Sequence, residues 1–269
     1  MSALADRAVA APDRPSTSTL ALMYHAVGET AGGTADAHYR IGCEDLRHQL
    51  AACAAYGPLT SARSWLAGGD GVILTFDDGD ASHYAEALPL LLARHAQADF
   101  FVNPATVGQR GFVTWGQLRE MAELGMSIQS HGYEHRYLTS LSPQELERSL
   151  LRARLTIEQQ VGEPVRLLAP PGGRMPPDLG AIARDCGYSH VLCSRPGRVR
   201  RDAANGALPR LAVVAALPPA VLQRWLTGQG LLRLRLRYAA LDLAKRAVGD
   251  NAYESLRRRW LAAAAERSC

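Results

Sequence analysis

The stretch "ILTFDDGDASHY", residues 73–84, ends an apolar run in two adjacent carboxylates, Asp77 and Asp78. The apolar run reads as a buried strand, and neighbouring side chains on a strand point in different directions. The pair therefore need not share one environment, although the backbone holds both in one place. One carboxylate can meet a cation while the other stays free beside it. The competing reading is a pair that caps the following helix, whose start near Ser82 favours negative charge.

Working outward, short apolar runs alternate with amphipathic segments: "LALMYH" precedes "EDLRHQLAACAAYG", "GVILTF" precedes "HYAEALPLLLARHA", and "QADFFV" precedes "WGQLREMAELG". The pattern continues through "MSIQSH", a long helix, "VRLLAP", another helix, "HVLCS", and "ALPRLAV" before "PPAVLQRWLTG". Such βα repetition predicts a parallel sheet or barrel. The long helix starts at "SPQE", with Ser142 as cap, Pro143 in the first turn and Glu145 completing a capping box, and ends at Gly162. With each strand leading into its own helix, polar residues at strand ends gather on one rim. The candidates there are His25, Asp77, Asp78 and His131.

A chain of 269 residues that is 47% apolar suffices for one large α/β domain with a small appendage. The net charge is +4, and almost all the positive charge is arginine, Lys245 being the only lysine. No Arg-rich block with interleaved aromatics occurs in the body of the chain, so nucleic acid is not an expected partner. The five cysteines are scattered without a C-x-x-C pair, which argues against a disulfide framework and a thiolate zinc site. The first residues carry Arg, Asp and Pro where a secretory signal needs a continuous apolar segment. The expectation is a cytoplasmic protein, with peripheral contact at the inner membrane through its C-terminal helices.

"SHGYEH" supplies His131 and His135 directly after a predicted strand. On a helical turn that spacing puts both imidazoles on one face. Two imidazoles and one carboxylate from another strand end make a facial ligand set that leaves positions open for water and substrate. One aspartate would be the third ligand and the other a base.

"LTFDDG" followed by "SHGYEH" resembles the first two motifs of the polysaccharide deacetylase family, the NodB-homology carbohydrate esterases. The resemblance runs from about Leu20 to Ala215, through "LMYHAVG", "GFVTWGQLREMAELGMSIQSH", "GEPVRLLAPPGGR" and "LPRLAV". It implies a distorted (β/α)7 barrel, here over residues 19–227, with residues 1–18 as a flexible leader and 228–269 as a helical C-terminal extension. It further implies removal of acetyl groups from N-acetylated sugars with a divalent metal, most commonly zinc, with cobalt, nickel or manganese as alternatives. Asp77 takes the role of general base, and Asp78, His131 and His135 that of metal ligands.

Two departures from the family pattern stand out. Its third motif has Arg, any residue, Pro, then an aromatic, where this chain has Ala169, Pro170, Pro171 and Gly172. Gly172 is the candidate whose backbone N–H meets the oxyanion, and Arg174 is either the replacement partner that orients Asp77 or a solvated surface arginine. The histidine of a late Leu-x-Leu-His pattern is also missing from "HVLCSRPG". His190 opens that strand at the wrong end. His25 is placed either to protonate the leaving amine or to be hydrogen-bonded beneath the site; water or substrate are the other donors. Arg210 and Trp115 match family-like positions, the latter read as a helix anchor.

In the C-terminal extension, Leu232, Leu236, Leu243 and Ala247 form one apolar stripe on a helix, and Leu234, Leu241 and Val248 a second. One stripe is expected to dock on the barrel. The other, flanked by Arg233, Arg237 and later Arg257, Arg258 and Arg259, faces an anionic membrane or a partner, unless both are buried in the fold or a dimer. The leading expectation is N-deacetylation of an amino sugar in bacterial polysaccharide or glycoconjugate assembly. Its competitors are removal of another acyl group, such as formyl, from a lipid-linked sugar or a non-sugar amide, and a catalytically silent sugar-binding barrel.

Overall fold

A computed structural model describes residues 17–29, 36–202 and 207–248, with side chains through residue 240. Most of the expected leader and the last part of the extension, including Arg257, Arg258 and Arg259, lie outside the described residues. The elements in chain order begin with β1 Ser18–Thr19, β2 Ala21–Tyr24, β3 Ala26–Val27, β4 Arg40–Ile41, α1 Cys43–Ala54, β5 Leu59–Thr60, α2 Ala62–Leu66 and β6 Val72–Phe76. A π-helical turn, His83–Ala87, leads into α3 Leu88–Leu92, followed by β7 Asp99–Val102, α4 Trp115–Glu123, β8 Ser127–Ser130, α5 Pro143–Val161, β9 Leu167–Leu168 and α6 Leu179–Asp185. The remainder is β10 His190–Cys193, β11 Val199–Arg200, β12 Ala207–Pro209, β13 Leu211–Ala212, α7 Pro219–Leu226 and α8 Leu231–Val248.

The main sheet runs β12, β10, β9, β8, β7, β6, β2, β13, with β5 added to β6, and its pairings are parallel. β12 and β13 sit at opposite ends of this order, yet only Arg210 separates them in sequence. The chain from 207 to 212 thus lies along β10 on one side and β2 on the other, and nearly closes the sheet into a barrel. Its staves are β2, β6, β7, β8, β9, β10 and the β12–β13 stretch, the seven-strand architecture the resemblance implied.

Side-chain alternation then builds two cores. Ala21, Ile73, Phe101, Leu167, Leu192 and Leu208 pack with Trp65 inside the barrel. Their sequence neighbours Leu22, Leu74, Phe100, Leu168 and Val191, with Phe76 two residues beyond Leu74, belong to a larger cluster shared with the surrounding helices. Phe76 stacks on Tyr24 and Phe100 with ring centroids 5.1 and 4.9 Å apart. The guanidinium of Arg201 lies 4.0 Å over the Trp65 ring.

The capping signals act as written. Ser142 and Glu145 form a reciprocal capping box at α5, which ends on Gly162 in the left-handed conformation, φ 82°. Trp115 opens α4 and packs against the larger core, the anchor role expected of it. In α8, Leu231 and Leu234 pack inward, whereas Leu232 and Leu236 are 68% and 63% exposed. Over this stretch one stripe is docked and the other is exposed; the side chains of Leu241, Leu243, Ala247 and Val248 lie outside the described ones.

At the opposite end of the barrel from the strand C-termini, Asp99 opens β7 and is fully buried. Its carboxylate accepts from the backbone N–H groups of Ala62 at 2.5 Å and Arg63 at 3.4 Å, at the start of α2. Burial outweighs these bonds and pushes its pKa up to about 6. The unfolded carboxyl ionises near pH 4, so between about pH 4 and 6 the folded state binds the extra proton and stability falls as pH rises. Asp99→Asn should abolish this loss, on the order of 2–3 kcal/mol. Urea unfolding of both proteins across that range is the check, and parallel pH profiles would contradict it.

Candidate active site

Asp77 continues the inward parity of Ile73 and Thr75 and is 2% exposed. Its backbone N–H donates to the Tyr24 carbonyl at 2.9 Å, extending the β2–β6 ladder by one step. Asp78 breaks the strand: its φ of 76° lies in the left-handed region, uncommon for a non-glycine residue and found where structure over-determines it. The turn answers why two carboxylates stand together. Asp77 stays inside the barrel while Asp78 is redirected toward the histidines.

Arg210, at the seam of the barrel and 1% exposed, grips Asp77 with two parallel bonds, Nη1 to Oδ1 at 2.7 Å and Nη2 to Oδ2 at 2.8 Å. The same Nη1 donates to Thr75 Oγ1 at 3.2 Å, and that hydroxyl donates to the Leu22 carbonyl at 2.9 Å. Burial alone would raise the Asp77 pKa, but Arg210 and His131 outweigh it and hold it below the ordinary value. Asp77 is therefore an anionic base at neutral pH, and its oxygens retain lone pairs beyond those that Arg210 uses.

His131 follows β8, its backbone N–H donating to the Val102 carbonyl at 2.9 Å. Asn103 Nδ2 donates to the His131 carbonyl at 2.6 Å and to that of Gly132 at 3.3 Å, fixing the loop. The helical turn expected between His131 and His135 is not there. Gly132 has φ 81°, and the segment bends rather than coils, yet the rings still converge, with centroids 5.4 Å apart.

Asp78 Oδ1 lies 3.2 Å from His131 Nε2 and 3.1 Å from His135 Nε2, and the donor atoms of all three residues lie within 4.8 Å of one another. Ligands about 2.0–2.2 Å from a tetrahedral zinc stand roughly 3.3 Å apart, so this donor set fits a divalent transition-metal ion. His131 is 2% exposed while the His135 side chain is 45% exposed, which makes the site closed beneath and open above. Burial opposes the Asp78 charge, but hydrogen bonds from His131 and His135 hold its pKa well below the ordinary value. The bond to Asp78 raises the pKa of His135.

Of the other expected residues, His25 is in the electrostatic neighbourhood of Asp78, Asp77 and His131; burial lowers its pKa and the two aspartates partly restore it. Its carbonyl meets His83 Nε2 at 2.5 Å, and its ring packs against Tyr39 at 4.6 Å. Gly172 sits in a turn with φ 62°. Arg174 does not orient Asp77: its guanidinium lies 4.0 Å over the ring of Tyr137, and Arg210 fills the place against the carboxylate. The helix-capping alternative for the Asp pair is met by a third acid, Asp80, which accepts from the Ser82 N–H at 2.9 Å and hydroxyl at 2.6 Å. His190 lies half-buried beside Ser189 at the strand's opening end.

This geometry agrees with comparisons to known proteins. The family model for polysaccharide deacetylase matches residues 67–191, a span that includes Asp77, Asp78, His131 and His135. Over that span the chain is similar to the polysaccharide deacetylase family. It is 30% identical over 142 residues to the Bacillus subtilis protein named "Putative polysaccharide deacetylase YxkH", covering 53% of this chain and 51% of that one. It is 32% identical over 124 residues to a peptidoglycan-N-acetylglucosamine deacetylase of Bacillus cereus, covering 46% and 56%. The chain thus spans about half the length of these curated relatives. The barrel superimposes on the Streptococcus pyogenes deacetylase PplD, solved with acetate, with a TM-score of 0.70, 24% identity, and coverage of 78% and 98%; that likeness establishes the fold.

Proposed function

We propose that this chain is a polysaccharide deacetylase that hydrolyses the acetamide of an N-acetylated amino sugar in a bacterial polysaccharide or glycoconjugate. The observation that carries the reading is the pairing of a three-donor metal site, Asp78, His131 and His135, with an adjacent carboxylate that Arg210 keeps ionised and correctly turned. Zinc is the ion that the nitrogen and oxygen donors suit best, and when bound it supplies polarisation of the acyl carbonyl and of the attacking water. Asp77 accepts the proton released as water adds to the carbonyl. The Gly172 N–H is the proposed donor to the oxyanion, and His25 the proposed donor of a proton to the departing amine. Acetate and free amine released in equal amounts from N-acetylglucosamine oligomers test the reading; binding without release would favour a silent barrel, and formate released from an N-formyl analogue in preference would favour a deformylase.

The location proposed is the cytoplasmic face of the membrane, through α8. At 100° per residue, the exposed Leu232 and Leu236 share a narrow strip, with Arg233 and Arg237 on one flank and Arg235 on the other. Arginines in such positions extend their stems along apolar surface and their charges into anionic headgroups. No helix among the described residues is long and apolar enough to cross a membrane, so the contact would be peripheral. The full chain should co-sediment with phosphatidylglycerol-rich vesicles at low salt and be released by high salt, since this attraction is screened. Absence of binding at low salt, or binding unaffected by Leu232→Glu with Leu236→Glu, would end the membrane reading.

A further inference from the structure

The turn at Gly172 and the loop after His135 are interlocked. A Cβ placed on Gly172 would stand 2.5 Å from Tyr137 Cε1 and 3.2 Å from Cδ1, so the tyrosine ring occupies the space that any other residue at 172 would need. Both the backbone and the ring of Tyr137 are anchored. The Tyr137 carbonyl accepts from the Ser140 N–H at 2.9 Å and hydroxyl at 2.7 Å; Leu138 beside it is 1% exposed; and the guanidinium of Arg174 lies 4.0 Å over the ring. Tyr137 also lines a groove of about 370 Å³ with His135, Arg136 and Ser140. The aromatic ring therefore stands in the same groove as the exposed metal-site imidazole.

We infer that Tyr137 is the sugar-binding platform of this site: its ring, backed by Arg174 and admitted by the missing side chain at Gly172, receives the pyranose whose acyl group is presented toward Asp78, His131 and His135. An aromatic ring offers a rigid, largely apolar surface with little rotamer entropy to lose. The axial C–H groups of a hexosamine present a matching apolar face, and the polar rim of Arg136 and Ser140 suits its hydroxyls. Tyr137 acts through binding and orientation and is not assigned any proton transfer. The inference rests on the acetamide-hydrolase reading above.

Its test uses the full chain and tetra-N-acetylchitotetraose. In an Asp77→Asn background, where turnover is slowed about a thousandfold, calorimetry should show Tyr137→Ala weakening oligomer binding at least tenfold, with Tyr137→Phe within about twofold. In the active enzyme the same substitution should raise KM by a similar factor while kcat changes less than about threefold. Tyr137→Leu, which keeps bulk behind Gly172 without the flat face, should resemble Tyr137→Ala; thermal unfolding identifies any variant that has lost its fold, and Tyr137→Leu decides if Tyr137→Ala has. Wild-type turnover with unchanged KM and affinity in the Ala and Leu variants would overturn the platform alone. A wild-type chain that neither binds nor cleaves the oligomer would overturn the acetamide-hydrolase reading and the platform with it.

Discussion

Replacing Asp77 by Asn should lower turnover by about a thousandfold while leaving the bound ion at its normal stoichiometry, whereas Asp78→Asn should lose the ion. General-base catalysis contributes roughly 10²–10⁴ in rate, and an amide in place of Asp77 keeps the side-chain shape but cannot accept the proton of the attacking water. It also leaves the grip of Arg210 with one acceptor oxygen and an N–H₂ facing a guanidinium. Asp78 differs because its Oδ1 stands about 3 Å from both imidazole Nε2 atoms, 3.2 and 3.1 Å. Elemental analysis and rate measurement on the same samples separate the two roles. Variants indistinguishable in both would show that the two carboxylates do not divide the work.

The second large effect is expected at Arg210. Arg210→Met should destabilise the fold by about 3–5 kcal/mol, because it strands a buried carboxylate that was paired bidentately. That is a large part of the roughly 5–15 kcal/mol that keeps a domain folded, and corresponds to a fall in Tm of about 10 °C or more at this chain length. Turnover should fall as well, since the Asp77 pKa rises once its main counter-charge is gone. Combining Arg210→Met with Asp77→Asn removes the stranded charge and should restore part of the stability without restoring turnover. Thermal unfolding of the four proteins in the cycle measures this; a single Arg210→Met substitution that leaves Tm unchanged would mean the pair is not structural.

Much of the barrel was readable because strand and helix periods are local properties of the chain. The apolar runs ending at Tyr24, Phe76, Val102, Ser130 and Cys193 each became a stave, and the polar residues just past three of them became the site. Arg210 as the partner of Asp77 was not readable. The two are 133 residues apart, and their meeting depends on barrel closure, which sequence periodicity does not encode; the available signal was a lone arginine inside the apolar "LPRLAV". Arg174, nearer to the third-motif position, was the natural local guess, but the stacking of its guanidinium on Tyr137 places it elsewhere. The helical turn expected from His131 to His135 failed at Gly132, whose positive φ turns the chain before a helical turn can form. Tyr137 escaped notice because its importance arises from what Gly172 lacks.

Hydrolysis should depend on one divalent ion held by Asp78, His131 and His135. The most direct test is elemental analysis of the purified chain, before and after chelation and after zinc return, with acetate release from tetra-N-acetylchitotetraose followed on each sample. One ion per chain is expected, with loss of release when the ion is removed, recovery of both on its return, and His131→Ala deficient in both throughout. Acetate release that persists in metal-free protein, or an ion retained at full stoichiometry by His131→Ala, would contradict it.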